Sequence, residues 1–95
     1  LQLSELNQAV ANAQRDVEYQ QSFIDTLTAK LKNGDTTIRV MADNVWSEVN
    51  LEQFIALQTD KLKSYTTYAE TLSGIENQLQ ETLSSSLTST SQAAQ

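Results

Sequence analysis

The chain contains no histidine and no cysteine. The ligands of ordinary zinc, haem, iron–sulfur and thiol chemistry are therefore missing. A Ser-His-Asp or Cys-His site cannot be built within the chain, nor can a disulfide, so the redox compartment stays open. Proline is absent and glycine occurs twice, at Gly34 and Gly74, which leaves almost no helix breakers. No apolar run approaches the roughly 18 residues of a membrane-spanning helix. Basic residues are few: six against twelve acids, for a net charge of −6. That balance argues against a nucleic-acid partner and against simple attraction to anionic lipid.

Apolar content is also low. Counting glycine and omitting tyrosine, 36 of the 95 residues are apolar, against roughly 45–50% in ordinary globular chains. The length suits one small domain, and the composition suits an elongated or oligomeric helical object better than a sphere with a deep core. Amide and hydroxyl residues fill the remainder: Gln, Asn, Ser and Thr supply 38 positions. Such surfaces can hydrogen-bond to one another without burying charge. Residues 67–95 contain Glu70, Glu76 and Glu81 and no base. The start at Leu1 reads as a processed precursor or an excised fragment, and no signal-like segment is seen.

A heptad repeat marks the first helix, expected over about 2–33. Leu3, Val10, Val17, Ile24 and Leu31 share one position, and Leu6, Ala13, Gln20 and Leu27 fall three residues later. All but Gln20 are apolar, which is the pattern of a coiled-coil seam, and one polar seam residue can fix register or oligomer state. Lys30 and Lys32 suit the negative end of that helix. In Asn33-Gly34-Asp35, Gly34 is placed for a left-handed C-cap. Asp35 is placed to cap a second helix, with Arg39 as its ion-pair partner. The competing reading takes Asn33-Gly34 as a β-turn followed by a strand from Thr36 to Val40.

An antiparallel return from that turn gives layers such as Leu27/Met41, Ile24/Val45, Gln20/Val49 and Leu6/Leu62. The fold expected is thus all-α: an antiparallel coiled-coil hairpin extended to an up-down-up three-helix bundle. Helix 2 is placed at about 36–64, helix 3 at about 67–83 or beyond, and a Ser/Thr-rich tail at 84–95. Ser64-Tyr65-Thr66-Thr67 has weak helix propensity, and Thr67 with Glu70 can form a capping box. Without a break there, the second helix is long and oligomerises. Trp46, Phe54 and Leu57 form a second apolar stripe on helix 2, and Leu72, Ile75, Leu79 and Leu83 form a row that would cover it or meet another subunit.

No residue set points to catalysis. Glu48 and Glu52, one helical turn apart on this reading, read as a solvated face that binds divalent cations weakly at most. The Ser and Thr residues have no base to activate them. The composition is similar to that of processed, acidic coiled-coil proteins of secretory-granule matrices and to helical virion components. These features imply a non-enzymatic structural subunit, secreted or held in a secretory compartment or particle. Its partners would be copies of itself or homologous helical subunits, with no cofactor. Two other readings are a fragment of a helical pore-forming toxin with a membrane-active hairpin, and an intracellular helical adaptor.

Overall fold

The structure, a computed structural model, describes the backbone of residues 2–94 and the side chains of residues 2–87. Helix α1 spans Leu3–Lys32, strand β1 Thr37–Ala42, strand β2 Val45–Asn50, and helix α2 Leu51–Ala94. The two helices pack side by side, and the strands form one antiparallel hairpin at the end where the chain reverses. The molecule is an elongated body of about 71 × 28 × 14 Å.

α1 closes with a Schellman motif. Gly34 adopts φ +98°, its N–H donates to the Leu31 carbonyl at 3.0 Å, and the Asp35 N–H donates to the Lys30 carbonyl at 3.1 Å. Only glycine takes that backbone conformation without a Cβ penalty. Beyond it the chain becomes extended. Thr36, Thr37, Ile38, Val40, Val45, Trp46 and Val49 are β-branched or aromatic, the types that lose side-chain freedom in a helix and fit a pleated surface. Asp43 and Asn44 both have positive φ, 52° and 61°, as a two-residue hairpin turn of type I′ requires. Asp and Asn tolerate that region better than other residues with a Cβ.

The three-helix bundle is not formed. Two helices and a two-stranded sheet replace it, so the chain is not all-α. Residues 36–50, expected to open helix 2, are the hairpin, and Asp35 therefore caps no helix. α2 is capped instead by Asn50, whose Oδ1 accepts the Gln53 N–H at 2.9 Å. α2 also passes through residues 64–67 unbroken. Thr67 takes no capping role there, because it lies inside the continuous helix, where its carbonyl accepts the Thr71 hydroxyl at 2.8 Å. Weak propensity costs only tenths of a kcal/mol per residue, and the helix runs on past it to Ala69, which is buried. The backbone of residues 84–94 continues α2; the side chains beyond Leu87 lie outside the described residues.

The seam is shifted as well. Gln20 meets Gln58 rather than Val49, a displacement of nine residues, and Phe23 meets Phe54. Buried Leu6, Val10, Ala13, Ile24 and Leu27 of α1 face a stripe of α2 that includes buried Leu51, Gln58 and Ala69. On α2 the same heptad phase runs from Leu51 and Ile55 through Gln58, Leu62, Ala69 and Leu72 to Leu79 and Leu83. Leu51 is fully buried, and its N–H donates to the Thr36 carbonyl at 2.9 Å, which ties the base of the hairpin to the start of α2.

Candidate functional site

The hairpin has two chemically distinct faces. Its register pairs Ile38 with Val49, Val40 with Ser47 and Ala42 with Val45; on the opposite face Thr37 pairs with Asn50, Arg39 with Glu48 and Met41 with Trp46. Side chains alternate along each strand, so the first face is apolar except for Ser47 and carries no charge. Ile38, Val40 and Val49 are half-buried, whereas Val45, beside the turn, is 63% exposed. On the second face Met41 and Trp46 are each more than half exposed. The Arg39 guanidinium stands 5.4 Å from the centre of the Trp46 ring, a cation–π distance. Arg39 thus serves Trp46, where the sequence suggested Asp35.

The helical row expected at the other end of the chain lies on one helix. Leu72 and Leu79 are half-buried, and Ile75 and Leu83 are exposed. The stripe of Trp46, Phe54 and Leu57 is not a helical stripe. Trp46 belongs to β2; Phe54 is half-buried and packs edge-to-face on Phe23 at 6.1 Å; Leu57 is 60% exposed on α2. Glu48 and Glu52 are likewise separated, one on β2 and one in the first turn of α2. Asn33 and Gly34 build the α1 cap, and Asp35 contributes its backbone N–H to it.

Polar chemistry along the helices is mostly local. Thr26, Thr28, Thr59 and Thr71 donate their hydroxyls to carbonyls one turn earlier. Gln8 donates to Asn12, and Gln21 to Asp25, along the same helix. Gln20 and Gln58 make a polar contact across the seam. The Gln20 side-chain amide donates to the Gln58 carbonyl at 2.8 Å and to Gln58 Oε1 at 3.0 Å. Among the described residues, no group of three or more Asp and Glu side chains is placed to hold a metal ion. No described helix is long and apolar enough to cross a membrane.

No protein family matches the chain, and neither the curated proteins nor the solved structures contain a significant match. The competing strand from Thr36 to Val40 matches part of β1, but it pairs across Asp43-Asn44 and not Asn33-Gly34, and the sequence signal for that pairing is the alternate apolar residues on both sides of Asp43-Asn44. Short apolar runs fit helical and strand spacing equally well, and Ile38, Met41, Val45 and Val49 satisfy a helical spacing by coincidence.

Proposed function

We propose that this protein is a non-enzymatic assembly subunit that associates with copies of itself or with related helical chains. The β-hairpin and the leucine row of α2 are the contact surfaces. The observation that supports this reading most directly is the uncovered hairpin. An isolated two-stranded hairpin is marginally stable in water, and the tip of this one exposes Met41 and Trp46 on one face and Val45 on the other. Trp and Arg are among the side chains most enriched as interface anchors, and Trp46 stands with Arg39 on the second face. Ile75 and Leu83, exposed beside the half-buried Leu72 and Leu79, add a second surface, and each gains part of the roughly 1.5–3 kcal/mol that full burial of such a side chain supplies.

Sedimentation from micromolar to millimolar protein tests the proposal. Concentration-dependent mass is expected, reduced by Val45→Asp at the hairpin and by Leu79→Glu on α2. A strictly monomeric chain across that range, unaffected by either substitution, overturns it. A second reading, a membrane-active hairpin, draws support from the same three exposed residues. Asp43 at the head of the turn opposes it, because a carboxylate leading into hydrocarbon is strongly disfavoured. Leakage from neutral liposomes, lost on Trp46→Ala, distinguishes the second reading from the first.

A further inference from the structure

A small cavity lies beside the polar layer of the seam, away from both proposed contact surfaces. It is an open cleft of about 340 Å³, lined by Asp16, Tyr19, Gln20 and Phe23 of α1 and by Tyr65 of α2. Asp16, Tyr19, Gln20 and Phe23 recur at helical spacing, which places them on one face of α1. Tyr65 enters from the opposing helix. Phe23 and Tyr65, from helices running in opposite directions, both line the cleft beside Gln20.

Two parts of the wall are held in place. Phe23 is fixed by its edge-to-face contact with Phe54. The Gln20 amide is fixed by two bonds to Gln58, and its own carbonyl oxygen accepts none of the hydrogen bonds formed among the described residues. The other walls are open: Tyr19 is 68% exposed, Tyr65 40%, and the Asp16 carboxylate is exposed. Three of the six aromatic side chains of the chain therefore share one cleft with a carboxylate and a side-chain carbonyl, and no basic residue lines it.

That combination has a recognisable chemistry. Aromatic faces carry negative quadrupole density and attract cations, most effectively weakly hydrated ones such as quaternary ammonium groups. A nearby carboxylate adds charge complementarity without requiring a hydrogen-bond donor from the ligand. We propose that this cleft binds a methylated ammonium cation, of the size of choline or tetramethylammonium, against Tyr19, Phe23 and Tyr65, with Asp16 as counter-charge. A cation lacking an attached anion is favoured, because a phosphate or carboxylate on the same ligand would face Asp16 and an acidic protein.

The test is an NMR titration of the full chain with choline, phosphocholine and 3,3-dimethylbutanol, the neutral analogue of choline. Choline is expected to shift the amide signals of residues around 16–23 and 65, with phosphocholine weaker and the neutral analogue inactive. Tyr19→Leu and Tyr65→Leu should each weaken choline about 2–5-fold, as the loss of one exposed cation–π contact implies. Asp16→Asn should weaken it too, while Tyr19→Phe should retain it. Circular dichroism on each variant separates lost binding from lost folding, since the solvent-exposed Tyr19 and Asp16 can be changed without opening the seam. Equal response to choline and to the neutral analogue, or binding unaffected by Tyr19→Leu and Asp16→Asn, overturns the proposal. So does the absence of any choline-induced shift at these residues.

Discussion

Gln20 and Gln58 occupy the middle of an otherwise apolar seam and are joined by a side-chain hydrogen bond of 3.0 Å. A polar pair in such a position contributes less to stability than packed leucine but disfavours other registers, because any slip leaves an amide buried without a partner. Replacing both with leucine is therefore expected to raise the melting temperature while admitting additional association states, read by calorimetry and by native mass spectrometry. Leu51 presents the opposite case. It is fully buried at the junction of both helices and the hairpin, so Leu51→Ala should cost about 2–5 kcal/mol in urea denaturation. The importance of Gln20 was visible in the heptad. That of Leu51 was not, because its place depends on where α2 begins.

Among the elements, α1 is the most legible: its heptad spacing and the Lys30–Asp35 boundary are both local signals, and the helix ends where Gly34 stops it. The hairpin was harder to read. Asn33-Gly34 is the stronger turn dipeptide by composition, yet it caps a helix, and the hairpin turn falls at Asp43-Asn44. Seam pairing failed for the same reason. With residues 36–50 drawn into strands, every partner on the second helix moves along, while the heptad of α2 fits α1 in more than one register. The rows of Trp46 and Leu79 are identifiable as apolar, but which residues share an element is a tertiary fact. The turn supplies a clean test. Asn44→Val places a β-branched residue at φ 61°, a conformation that costs such residues on the order of 1–2 kcal/mol. The expected result is selective loss of amide protection across β1 and β2 in hydrogen exchange, with the helical signal retained.

At the scale of the whole molecule, the Cα radius of gyration is 20.9 Å, where a compact domain of this length would have about 12 Å. Most residues consequently lie near the surface, and few side chains beyond the seam are buried. Small-angle scattering at high dilution should return a value close to 21 Å for the monomer. If the assembly proposal holds, that value rises with concentration, and Leu79→Glu suppresses the rise. A compact monomer near 12 Å would mean that α2 folds back on itself, which contradicts its continuity through residues 64–67.

Thr36 and Leu51 are already hydrogen-bonded neighbours at 2.9 Å, so the helical pair is closed before the strands begin. From the viewpoint of the helices, the 14 residues between them form an exchangeable cassette. Adding two residues to each strand would preserve the face of every existing side chain, since the pleat repeats every two residues, and would carry the turn about 7 Å further out. Removing the same number would retract it by as much. The tip is thus an adjustable spacer on a fixed handle, whose reach and chemistry can vary while the seam beneath it stays unchanged.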